Sequence, residues 1–311
     1  MKLALFILTT TFALKAAPVT ALRFSPDGKY LLISRVRAIE VRAVDGKEKA
    51  HKIPCGFDKI LALTFSADGK SLAVAGGTPG DMGGVHLLDW PSGKVLGKWD
   101  VFEDVATCVE FGATVNIVAG SADSSLLLLD QRREGRVIRR FEGHTKAVRG
   151  LALAPGGKML VSVSADRTLK SWNYSTGKVE RSLGNHLGPV NAVAFRPGAR
   201  MTSCATVSDD KTVRLWQPAI GRMVRIVRGH GGPIFSVAFS LDGTRMFSIG
   251  REGIGRIIDA DSDKVLHQWH AHKDWAYALA VGPEGLLATG DWRGEVELWT
   301  AKGDIVLPQG K

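Results

Sequence analysis

Phe24-Ser25-Pro26-Asp27-Gly28 returns as Phe65-Ser66-Ala67-Asp68-Gly69 and as Phe239-Ser240-Leu241-Asp242-Gly243. Each copy ends an apolar run with a hydroxyl, an aspartate and a glycine, the chemistry of a tight turn after a strand. Working outward, the anchor position recurs at Phe24, Phe65, Phe111, Leu153, Phe195, Phe239 and Val281, at spacings of 41, 46, 42, 42, 44 and 42 residues. That period is the one expected of a four-stranded antiparallel propeller blade. Seven anchors predict an all-β, seven-bladed β-propeller.

Within one unit the strands can be read individually. Val190-Asn191-Ala192-Val193-Ala194-Phe195 is an inner strand, followed by a turn around Pro197-Gly198. Residues 201–207, 212–216 and 223–227 are the second, third and outer strands, separated by Asp/Gly-rich turns. A single such sheet cannot bury both faces, whereas stacking around an axis buries them against neighbours. Residues 18–311 are therefore expected to form one domain.

The chain has 311 residues, 45% of them hydrophobic and 23% charged, which excludes disorder and allows a large core. A net charge of +10 favours contact with anionic surfaces, be they nucleic acid, phospholipid or an acidic protein. Cys55, Cys108 and Cys204 are odd in number and form no CxxC or Cys/His grouping, so neither a disulfide framework nor a zinc site is expected from them. Lys2, the apolar run of residues 3–8 and the small residues Ala16-Ala17 order themselves like a secretory leader. Residues 1–17 are read as a signal peptide, or else as a strand that closes the ring. The first reading predicts export to the periplasm or beyond; the second predicts a cytoplasmic protein. No other stretch is apolar for long enough to span a membrane.

Two repeats carry a further pattern. His144 is followed by Ser162, Asp166 and Trp172, and His186 by Thr206, Asp210 and Trp216. With the period and the turn motif, these residues resemble the WD40-repeat family across residues 18–311, and the SPDG-rich repeats resemble those of its bacterial members. The resemblance implies that each set forms a hydrogen-bonded network inside its blade, which suits a buried imidazole and indole in need of polar partners. Other blades depart from it. His230 and Ser248 are followed by Glu252 and Ile258, and His272 and Thr289 by Arg293 and then Trp299. Val41, Leu88 and Leu129 replace the tryptophan in the first three blades, which apolar packing must then hold. Two segments compete to close the ring, residues 304–307 after Trp299 and residues 12–14 folding back as a clasp.

Histidine, aspartate and serine also build hydrolytic sites, but a set that recurs in several blades is structural, and no catalytic residue, metal or cofactor is expected. His267, His270 and His272 lie close in sequence without a carboxylate or cysteine beside them to complete a metal set. The glycine-rich residues 76–84 lack the Gly-Lys-Ser/Thr ending of a phosphate loop and read as an extended turn in blade two.

The residue one place after the start of each inner strand should ring the channel mouth: Thr20, Leu61, Thr107, Arg149, Asn191, Phe235 and Tyr277, with Trp275 nearby. The resemblance implies that this rim grips a peptide or protein loop. Arginine, tyrosine and tryptophan are the types enriched at interface hot spots. A second surface is basic, with Arg132, Arg133, Arg136, Arg139 and Arg140 in the outer region of blade three and Arg222, Arg225 and Arg228 in that of blade five. Such charges also protect an exposed strand edge, and aromatic residues for stacking bases are nearly absent there. The expected function is a monomeric, non-enzymatic scaffold for a protein or peptide. Binding of nucleic acid or an anionic surface at the basic edge, and a cofactor-binding or enzymatic channel, are the alternatives.

Overall fold

The computed structural model describes residues 17–112, 116–199 and 201–306. It is a seven-bladed propeller: six sheets have four antiparallel strands, and the seventh has three. The inner strands are Leu22–Phe24, Lys59–Phe65, Ala106–Phe111, Val148–Leu153, Val190–Phe195, Ile234–Phe239 and Ala276–Val281, one per predicted anchor. In blade five the outer three strands are Cys204–Ser208, Val213–Gln217 and Arg222–Val227, so the second begins three residues later than its apolar run suggested. Among the described residues the only helical element is the single turn Pro283–Gly285.

The Ser-Pro-Asp-Gly motif is explained by its geometry. Ser25 Oγ donates to Asp27 at 2.6 Å and accepts the Tyr30 N–H at 2.9 Å, and Ser66 repeats both bonds with Asp68 and Ser71. Gly28 and Gly69 sit at φ of 71° and 69°, which glycine adopts without steric cost. The turn binds its own polar groups and returns the chain antiparallel.

The core is divided like the sheet. Seven buried apolar clusters occur among the described residues, each between adjacent blades. The cluster of Val19, Leu22, Phe24, Ile33, Ala278, Ala280 and Ala288 joins blade seven to blade one and closes the ring. Val19 N–H also donates to Asp291 O at 2.9 Å across this seam. Val41, Leu88 and Leu129 are buried where other blades have tryptophan, so apolar packing fills those places.

At the end of the chain, Trp299 bridges to Ile305, and Val306 N–H donates to Leu298 O at 2.8 Å. Residues 304–306 thus lie beside the third strand of blade seven, as one of the two closing readings required. The other, through residues 12–14, and all of the leader reading but Ala17 fall in residues 1–16, outside those described.

The glycine-rich segment corrects the sequence reading. Its residues lengthen two paired strands, Ser71–Thr78 and Met82–Asp89, and leave only 79–81 as the turn. Glycine is required there for close approach: a Cβ at Gly76 would strike Lys59 O, and one at Gly83 would strike Asp104 O.

Candidate functional site: the channel mouth

Pairing is interrupted at one place in six inner strands. Val148 pairs with Ser164 and Gly150 with Val163, which leaves Arg149 as an extra residue. The same bulge isolates Leu61, Thr107, Asn191, Phe235 and Tyr277. A bulged residue is released from the alternation of the strand and can be re-aimed. All six, with Thr20 and Trp275, line the axial channel of about 1310 Å³. The structure therefore brings together every rim position expected from the sequence.

The rim nevertheless splits into two kinds of residue. Thr20 Oγ1 donates to Ile60 O, Thr107 Oγ1 to Val148 O, and Asn191 Nδ2 to Ile234 O at 2.7 Å, each reaching the inner strand of the next blade. These three are latches between blades. Arg149 donates to Asn191 Oδ1 and lies 3.7 Å from Asp209, so its charge is partly satisfied.

Leu61 is the apolar rim residue of blade two, and the other rim side chains form an aromatic cluster on blades six and seven. Phe235 and Tyr277 stack with centroids 4.6 Å apart and planes 8° apart. Trp275 is 6.2 Å from both rings, and Trp292 is 6.1 Å from Trp275 and 5.6 Å from Tyr277. The Arg251 guanidinium lies 4.8 Å above the Trp275 ring. Trp275 and Trp292 are 37% and 45% exposed, enough to leave ring surface open to a ligand. Sequence reasoning missed Trp292. Its place in the turn after the second strand matches Asp209 and Arg251, which both reach the rim, so aligning that turn across blades would have found it.

The in-blade networks form as the resemblance implied. His144 Nδ1 is 2.7 Å from Asp166 Oδ2, its Nε2 is 2.7 Å from Ser162 Oγ, and Trp172 Nε1–H donates to Ser162 at 2.8 Å. His186, Asp210, Thr206 and Trp216 repeat this at 2.7, 2.8 and 2.8 Å. Burial alone would raise the Asp166 and Asp210 pKa values, but hydrogen bonds from the histidine and a threonine outweigh it and hold both well below the usual carboxylate range. These groups are bonded to one another in the blade interior.

Blade six keeps only the His230–Ser248 bond, at 3.0 Å, while Glu252 pairs with Arg256 at 2.8 Å. Blade two instead stacks His86 on Phe57 at 4.0 Å, a substitution the sequence did not announce. The three cysteines are buried and free, and burial pushes the Cys55 and Cys108 thiols up to about 12. His267 stacks on Trp269 at an outer strand, while His272 is in the blade-seven network, so the three neighbouring histidines do not converge as one ligand set.

Several basic-edge arginines have local partners. Arg136 is 3.7 Å from Asp130, Arg139 donates to Tyr174 O at 3.2 Å, and Arg140 to Ser125 Oγ at 3.4 Å. Among the described residues, no helix is long and apolar enough to cross a membrane.

Fold and site together define a repeat propeller with an aromatic sector at its channel mouth. The family description "WD domain, G-beta repeat" matches residues 7–35, 135–173, 177–217 and 221–259, so these four segments are similar to WD40 repeats. The first match takes in part of the segment that also reads as a leader. An uncharacterized WD repeat-containing protein of Synechocystis sp. is 34% identical over 150 residues, covering 46% of this chain and 40% of the relative. Protein ROOT INITIATION DEFECTIVE 3 of Arabidopsis thaliana is 35% identical over 156 residues, 45% of this chain and 34% of the relative. Nuclear distribution protein nudF 2 of Penicillium rubens is 41% identical over 81 residues, 25% and 17% of the two chains. The aligned segments span less than half of each relative.

Proposed function

We propose that the chain is a non-catalytic scaffold that captures a protein or peptide at the channel mouth, in the sector built by blades six and seven. The observation that carries this reading is the cluster of Phe235, Trp275, Tyr277 and Trp292, whose two tryptophans leave ring surface open beside a latched rim. Aromatic side chains offer large contact area at low entropic cost, and they anchor interfaces. The resemblance to the WD40 family implies recognition of proteins. Export remains part of the proposal through residues 1–17, and N-terminal sequencing of protein from the native cell distinguishes a cleaved leader from a retained strand.

Affinity capture from the native cell, followed by binding measurements with the captured partner, tests the site. Trp275→Ala with Trp292→Ala should weaken binding by at least about thirtyfold, equivalent to about 2 kcal/mol for loss of a hot spot, with the melting temperature unchanged. Undiminished binding by this variant removes the rim from the account.

A further inference from the structure

Charge inverts at one position of blade seven. The third-strand residue opposite the network hydroxyl is Lys170 in blade four, Arg214 in blade five and Arg256 in blade six. In blade seven it is Glu297, opposite Thr289. The arginines of blades five and six neutralise a carboxylate of the adjoining turn: Arg214 is 3.3 Å from Asp210, and Arg256 is 2.8 Å from Glu252. Blade seven has carboxylates at this place and no such arginine. Arg293, the nearest cation in sequence, is turned to Asp274 at 3.1 Å, and Arg42 of blade one is held by Glu40 at 2.7 Å.

His272 faces these carboxylates. In blades four and five the histidine Nδ1 meets its aspartate at 2.7 Å. In blade seven Asp291 stands two residues before the expected position, now held by Arg293, and its Oδ2 is 3.5 Å from His272 Nδ1. Both residues are buried, and neither atom makes a hydrogen bond. Such a separation is long for a hydrogen bond. It is close to the edge of a tetrahedral zinc site, where bonds of about 2.0–2.1 Å set ligands about 3.3–3.4 Å apart. One ligand atom from each of His272, Asp291 and Glu295 lies within 4.8 Å of the other two, and Glu295 is at the surface, where an ion would enter.

Both buried ligands are already oriented. His272 Nε2 is 2.8 Å from Thr289 Oγ1, which also accepts the Trp299 indole N–H at 2.8 Å. Asp291 Oδ1 accepts the N–H groups of Arg293 and Glu295 at 2.9 and 2.8 Å, leaving Oδ2 to aim at the histidine. Hydrogen bonds to the ligands themselves fix the geometry of metal sites.

We propose that His272 Nδ1, Asp291 Oδ2 and the Glu295 carboxylate bind a divalent cation, zinc in preference to calcium or magnesium because an imidazole is among the ligands. The ion supplies the positive charge that Arg214 and Arg256 supply in the preceding blades. It also reinforces the ring closure, since Asp291 O accepts Val19 N–H at 2.9 Å and Gly294 O accepts from Arg35 of blade one at 3.0 Å.

The test uses the full chain, stripped with chelator and titrated with zinc chloride by calorimetry, with melting temperature as a second readout. One zinc per chain should bind and raise the melting temperature. Glu295→Gln, at an exposed residue, should weaken binding by at least about tenfold. Glu297→Arg restores the internal cation of blades five and six, so it should abolish the zinc response and stabilise the metal-free protein. His267→Ala with His270→Ala should bind zinc as the native chain does. The proposal is overturned if the native chain binds no zinc, if Glu295→Gln and Glu297→Arg bind as tightly as it does, or if the His267/His270 variant loses the ion.

Discussion

Thr206 lets the network's contribution be separated from packing. Its hydroxyl is fully buried, lies 2.8 Å from His186 Nε2 and accepts the Trp216 indole N–H at 2.8 Å. Thr206→Val keeps the volume and removes the hydroxyl, leaving an imidazole nitrogen and an indole N–H buried without partners. At about 1–3 kcal/mol for each of the two abandoned groups, the loss should be about 2–6 kcal/mol. Thr206→Ser keeps the hydroxyl and gives up one methyl, worth about 1 kcal/mol. Urea unfolding followed by tryptophan fluorescence should therefore give a midpoint order of native, serine, valine, with similar slopes. If the valine variant is as stable as the serine variant, the network does not stabilise the blade and apolar packing alone accounts for it.

Burial, followed by the charge of Arg256, pushes His230 down to about 4 from an ordinary 6.5. The folded state thus favours the neutral ring. The stability it confers is complete above pH 6.5 and is lost as pH falls toward 4, by up to about 3 kcal/mol. His230→Gln should flatten the pH dependence of the melting temperature across that window, and equal slopes in the two proteins would refute this. Gly83→Ala should cost about 1–3 kcal/mol by thermal melting, because its Cβ would collide with Asp104 O; unchanged melting would mean that the blade-two hairpin parts freely.

The ring itself was legible because its signals are local and repeated. A hydroxyl, an aspartate and a glycine close one turn wherever they occur, and seven anchors follow from the turn and the apolar run before it. The rim was legible for a related reason: each bulge falls at the same place in its strand, so alignment finds Arg149, Phe235 and Tyr277 together. What alignment does not carry is the partner across a blade boundary. Thr107 and Asn191 occupy rim positions but bond to the next inner strand, and their side chains could serve either role in a sequence. The glycines of blade two read as an extended turn because the carbonyls that exclude a Cβ come from segments distant in sequence, such as Lys59 O and Asp104 O. Asp291 escaped notice because the family pattern puts the acid two residues later, and the inversion at Glu297 has meaning only once the cross-strand register is known.

A ring of similar blades offers similar positions on every side, so a specific ligand must be recognised where the repeats differ. At the rim the differences gather in blades six and seven, which carry Phe235, Trp275, Tyr277 and Trp292. On blades one, three and five the equivalent positions hold Thr20, Thr107 and Asn191, each spent on an inter-blade bond. Those latches hold neighbouring blades in register and keep the aromatic sector steady without side chains that compete for the ligand. Recognition should therefore be off-axis, by a short segment laid across two adjacent blades, rather than by a loop threaded down the channel. The closing seam lies at the edge of the same sector, because Asp291 and Trp292 are consecutive, with one bonded to Val19 and the other packed in the aromatic cluster. Whatever steadies the seam also steadies that part of the aromatic sector.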